Sequence, residues 1–243
     1  MKNNSLIITI IASVALILAA AVFGSRIAQI KKPAKAVKVT GICERTFESD
    51  LIVWKARFSA QNMDLQSGFS QLKEDREQVL KFLEGKGIAK DMIDLSSISV
   101  EKMFDSRYNN NNYYNVFTGY KLTQTVKIES NDVDKIEKIS KDVTELINND
   151  VMIESEMPKY YYTKLDDLKI EMLENASADA YERASVIAQG SKSKIDRLTQ
   201  SQMGVFQIVG YNSDEDYSWG GTFNTSSRKK TASITVKSTF TLK

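Results

Sequence analysis

The chain has 243 residues, with 33 lysines and arginines against 31 aspartates and glutamates and a formal net charge of +2. It contains no histidine and a single cysteine, Cys43. These absences exclude Ser-His-Asp and Cys-His catalysis, histidine-ligated zinc, a thiolate metal cluster, a CxxC redox pair and an intrachain disulfide framework.

The first element is an uncharged run, Leu6 to Gly24, followed by Arg26, Lys31, Lys32, Lys35 and Lys38 before any acidic residue. As a helix it covers about 28 Å, enough for a bilayer's hydrocarbon core. Residues 1–30 therefore read as a transmembrane anchor or a signal segment, and residues 31–38 as a basic juxtamembrane stem that meets lipid headgroups. Ala19 and Ala21 form an A-x-A cleavage pattern, the signal-peptide alternative, which would release a secreted domain. The apolar run continues through Val22 and Phe23 into a cluster of cations, which favours the uncut anchor. By the positive-inside rule the cations after the span would hold the domain in the cytoplasm, yet long domains translocate despite flanking charge.

Residues 1–38 hold six basic residues and no acidic one, leaving 27 basic against 31 acidic in residues 39–243. A mildly acidic body argues against a nucleic-acid partner. Its 205 residues suffice for one compact domain.

Within the body, Val37, Val39, Gly41 and Cys43 share a strand face, with Cys43 as a small buried hydrophobe. Ile52, Trp54, Ala56, Phe58 and Ala60 form the apolar face of the next strand. A helix from about Asp64 carries Leu65, Phe69, Leu72, Val79, Leu80 and Leu83 on one side and stops at Gly85 or Gly87. Two strand patterns, Ile98, Val100 and Phe104, then Tyr120, Leu122, Val126 and Ile128, join through a polar, mobile tip, Tyr108 to Asn115. A second helix begins near Asp132, with Val133, Ile136, Ile139, Val143, Leu146 and Ile147 on its buried side, and a strand starts at Val151. From Asp50 onward the order is β-α-β-β-α-β, that of a ferredoxin-like core: two helices on one face of an antiparallel sheet.

A third helix repeats Met172, Ala176, Ala180, Ala184 and Ala188 every four residues, which lets it lie close to its support. Two strands end the chain, Phe206 to Tyr211 and one whose residues Ala232, Ile234, Val236, Phe240 and Leu242 alternate with polar ones. The fold class is thus α+β, with antiparallel sheets and a ferredoxin-like core extended by a further helix and two C-terminal strands. Between those strands, Asn212 to Thr231 reads as a disordered loop ahead of a functional one.

Chemistry-bearing candidates are few. Gly85-Lys86-Gly87 follows a helix and reads as a helix terminator, since a phosphate-binding fingerprint must follow a strand. Asp166 and Asp167 open a helix, where acids serve capping and the dipole, and Asp50 is a further carboxylate to place. Asp214-Glu215-Asp216 lacks the spacing of a calcium loop. Tyr160, Tyr161 and Tyr162 read as alternating strand residues rather than as a partner surface. No catalytic, cofactor or metal residue is assigned, and the expectation is a non-enzymatic protein.

The order of elements resembles the SIMPL-domain family of bacterial envelope proteins. Val37-Lys-Val-Thr-Gly41, Ser49-Asp50 where the family usually has Pro-Asp, Gly87-Ile88 with Asp91, Thr118-Gly-Tyr120 with Val126, Asp132-Val-Asp-Lys135 and Ala180 to Ala188 carry the resemblance. It implies an export or anchor segment, an extracytoplasmic or periplasmic domain, no established catalytic residues, ring-like homo-oligomers in some members, and in some a link to envelope or oxidative stress defence. The sequence departs where family members have glycines after the alanine helix, at Lys192 and Asp196. The expected partners are membrane lipid through residues 6–24, copies of the same chain and a protein of unknown identity. A small-ligand or ion-binding module, built on the loop Asn212 to Thr231 and the hairpin tip near Tyr113, is the alternative.

Overall fold

The computed structural model describes residues 13–22, 35–109 and 112–243. Residues 13–22 form a helix, α1, exposed along its whole described length. The remainder of the apolar run Leu6 to Gly24, and most of the basic stem, lie outside the described residues. Among the described residues no helix is long and apolar enough to cross a membrane.

The body is α+β, with two sheets paired mostly antiparallel. Its residues form two compact units: Ile42–Ala176 with Met203–Thr235, and the chain up to Gly41 with Ser177–Gln202 and Val236–Lys243. Four elements run through both units: β1 (Ala36–Glu48), helix α4 (Leu165–Gly190), β8 (Ile195–Met203) and β11 (Lys229–Leu242).

In the larger unit, β2 (Leu51–Asn62) and β5 (Asn112–Ser130) pair antiparallel at the centre of a sheet. Strands β3 (Ile93–Leu95) and β4 (Ser99–Asn109) both pair the far side of β5, while β6 (Ile153–Ser155) and β7 (Lys159–Tyr161) both pair the far side of β2. With each of those outer pairs counted as one interrupted strand, the order read from the sequence, β-α-β-β-α-β, is present between Leu51 and Tyr161. Trp54, Ala56, Phe58, Leu122, Val126 and Ile128 share a core with residues of α2 (Leu65–Gly85) and α3 (Val133–Asp142), so alternate residues of the two central strands supply its floor.

Local chemistry sets the helix ends. Asp64 caps α2 by accepting from the Ser67 N–H at 2.8 Å, and Asp132 caps α3 by accepting from the Lys135 N–H at 3.1 Å. The buried side of α2 is Gly68, Leu72, Asp75, Val79 and Leu83, so Leu65 and Phe69 are exposed, contrary to their expected place in the core. Gly68 decides that rotation, because a Cβ there would lie 2.8 Å from Leu122 Cδ1. Beyond α3 the chain tightens into a 3-10 helix, Val143–Asn149, whose three-residue repeat buries Val143 and Leu146 and turns Ile147 outward.

The second sheet has the order β1-β11-β9-β10, with β8 also paired to β11. Strand β9 (Gln207–Gly210) runs antiparallel to β11, and the two-residue β10 (Thr222–Phe223) runs parallel to β9. Four strands therefore follow α4, where the sequence pattern predicted two. Strand β8 escapes a periodicity reading because all but its first residue are exposed, and β10 is too short to show any period. In the smaller unit, Ala184 forms a core cluster with Val37 and Phe240. Every residue of the stripe Met172, Ala176, Ala180, Ala184 and Ala188 is buried, as the four-residue spacing predicts. Cys43 is half-buried rather than sealed in the core.

Helix α4 ends with Lys192 in the left-handed region, φ 55°, and the Ser193 N–H donating to the Ala188 carbonyl at 2.8 Å. That is the geometry of a glycine cap, carried here by a lysine.

Candidate functional site

The carboxylates singled out from the sequence are scattered. Asp50 accepts from the Thr163 N–H and hydroxyl, both at 2.7 Å, and so ties the start of β2 to the turn before α4. Asp166 is almost fully exposed and lies 3.6 Å from Lys169 Nζ, while Asp167 stands beside it in the first turn of α4. Among the described residues no group of three or more histidines, cysteines or acids is placed to hold a metal ion.

The loop from Asn212 to Thr231, read as disordered, is cross-tied. Glu215 accepts from the Gly210 N–H at 3.1 Å and from the Asn224 amide, and the Gln207 amide holds the Ser218 backbone through both its oxygen and its nitrogen. Asn224 Oδ1 in turn accepts from the Ser227 N–H at 2.8 Å. Glu215, the middle residue of the acidic run, is thereby committed to the loop itself. Tyr113, the other residue named for ligand binding, packs at a tilt against Tyr108 with ring centroids 4.9 Å apart.

A polar centre that the sequence reading missed lies at the start of β11. Three successive cations there take three different roles. Arg228 pairs with Asp134 on α3, and its guanidinium holds that carboxyl below the usual aspartate range. Lys229 lies 4.1 Å from the centre of the Tyr211 ring. Lys230 is only 1% exposed, and its ammonium donates to Ser49 Oγ at 2.7 Å and to the Tyr160 carbonyl at 2.9 Å. Burial lowers the Lys230 pKa to about 8, against a weaker opposing attraction to Glu215, and burial raises that of the Tyr160 hydroxyl. The signal was present in the last strand: Lys230 shares parity with Ala232, Ile234 and Val236, all buried. Ser49 is itself only 5% exposed, so this serine and lysine form a sealed structural contact, not an open nucleophile.

Among the described residues concave surface occurs in both units, and its largest groove lies in the smaller one. Lys38, Val39 and Thr40 of β1 wall two grooves. One, about 610 Å³, is completed by Asp179, Glu182, Arg183, Val186 and Ile187 of α4. The other, about 300 Å³, is completed by polar residues of β8 and β11, including Gln200, Gln202 and Lys237. In the larger groove Val186 and Ile187 are exposed, while Arg183 is held by Asp179 at 2.8 Å. The combination of two apolar side chains with a charged rim suits noncovalent recognition.

Among curated proteins no match is found. The sequence model of the SIMPL family, described as a protein of unknown function (DUF541), matches residues 37–240. That span reaches into both units and holds the alanine helix and most of the terminal strand, and the chain belongs to the SIMPL family.

Proposed function

We propose that this SIMPL-family protein is held at a membrane by its N-terminal apolar segment, with its domain outside the cytoplasm, and that it works without catalysis by binding copies of itself or another protein. A role in envelope or oxidative stress defence fits that reading. The observation that carries it is α1: ten helical residues that include Val14, Leu16, Ile17, Leu18 and Val22, all of them exposed. Water is a poor solvent for such a helix, and a bilayer a good one. The ferredoxin-like order of the larger unit supports the binding part, since such a sheet leaves edges and one face for partners.

Cell fractionation with intact-mass measurement tests the anchor. The protein is expected in the membrane fraction at its uncut mass, with the domain digested by protease added outside the inner membrane and protected in inverted vesicles. A soluble protein shortened near Ala21 would sink the anchor, and digestion in inverted vesicles would sink the orientation.

The larger groove favours a second reading, a module that binds a small amphipathic ligand between β1 and α4. A thermal-shift screen is expected to find ligands that raise the melting temperature of the wild type and not of Val186→Asp. Hits that stabilise both equally would count against the groove.

A further inference from the structure

We propose that two copies of the chain join edge to edge through β4, antiparallel about a two-fold axis with Phe104 opposite Phe104 of the second copy. The proposal rests on the self-association reading above and names its surface. Strand β4 pairs β5 on one side, and no other strand pairs it among the described residues. Its eleven residues contain no proline, and its peptide groups on the open side are a template for another strand.

The side chains point to a second copy as the occupant. Val100, Phe104 and Tyr108 are 51%, 54% and 59% exposed although they lie every fourth residue along one face. That face is the core side of the sheet, because Val100 is opposite the buried Leu122. The one irregularity of the hairpin, between Met103 and Phe104, leaves Thr118 of β5 as the extra residue, so β4 keeps its own alternation. Phe104 meets Phe117, and Tyr108 meets Tyr113, at 5.7 and 4.9 Å between centroids, so an aromatic ribbon stops at the open edge.

Charge selects the register. A two-fold axis perpendicular to the sheet keeps each face on its own side, so only registers that oppose residues of one parity are allowed. Centring the pair on Lys102 or on Asp105 sets a like charge against itself, and centring it on Met103 sets Glu101 against Asp105. Centring it on Ser106 pairs only residues 103–109. Centring it on Phe104 uses the full strand: Glu101 faces Arg107 twice on the open face, and Val100 faces Tyr108 twice on the core face. The four charges of β4 would blunt this edge against most strands, whereas in this register Glu101 and Arg107 complement those of its own copy and Lys102 and Asp105 face neutral residues.

The test uses the full chain in detergent. Light scattering should show a dimer or a larger even-numbered assembly for the wild type. Glu101→Arg and Arg107→Glu should each weaken association about tenfold or more, and the double exchange E101R/R107E should restore it. Unchanged melting curves show that these exposed substitutions leave the fold intact. In a Cys43→Ala background, oxidised Phe104→Cys should form a covalent dimer. Arg107→Cys should not, because the two copies of residue 107 would lie about 20 Å apart along the strand. If the wild type associates and the charge variants associate equally well, the β4 pairing is overturned while self-association stands. A wild type that stays monomeric at every concentration overturns both.

Discussion

Lys230 shows how one side chain couples this fold to pH. Its folded pKa of about 8 lies below the ordinary 10.5. Between those values the unfolded chain holds a proton that the folded chain has released, so stability rises with pH across the window. The full effect is at most about 3 kcal/mol, from 1.36 kcal/mol per unit. Tyr160 acts in the opposite direction only above about pH 10, because its raised pKa makes the folded state hold the proton longer. Urea midpoints measured at about pH 7.5 and 9.5 should therefore rise in the wild type relative to Lys230→Met; parallel behaviour of the two would show that the folded state keeps the Lys230 proton across this window, so that burial does not lower its pKa. Two glycine questions also belong at this scale. Thr118-Gly-Tyr120 needs its glycine, since Gly119 has φ 128° and a Cβ would lie 2.7 Å from the Asn62 carbonyl oxygen. Lys192 occupies a glycine conformation without being one.

Among the elements, α4 was the most legible. A residue every four, mostly alanine, predicts both which side is buried and that the helix lies close to what it covers, and every residue of the stripe is sealed. Ala184 sits against Val37 and Phe240, so Ala184→Leu should overfill that cluster and cost about 1–3 kcal/mol by chemical denaturation. A change below about 0.5 kcal/mol would mean that the cluster yields to the added volume. Helices α2 and α3 were legible in position through their aspartate caps and less so in rotation. Leu65, Phe69 and Ile147 fit an ideal apolar stripe, but a close approach at Gly68 and a switch to 3-10 geometry at Val143 turn them outward. Strand β8 carried no period to read, because a strand lying on the surface has no apolar face to display.

For the molecule as a whole, composition and order decided more than any motif. The absence of histidine, the lone cysteine, the uncharged run at the start and the alternation of two- and four-residue periods are properties of the sequence by itself. They determined the excluded chemistries, the membrane-sized segment, the α+β class and the order β-α-β-β-α-β. Each depends on what neighbouring residues are, and not on where distant ones go. The candidate sites were not legible in that way. Lys230 meets Ser49 across 181 positions, and the larger groove brings β1 against α4 across some 140. The ties that order the loop after β9 join residues whose polar character alone suggested disorder. The open edge of β4 exists only because β3 to β7 choose β5 and β2 as partners. Burial, partner choice and free edges are outcomes of long-range packing, and the tertiary structure alone decided them.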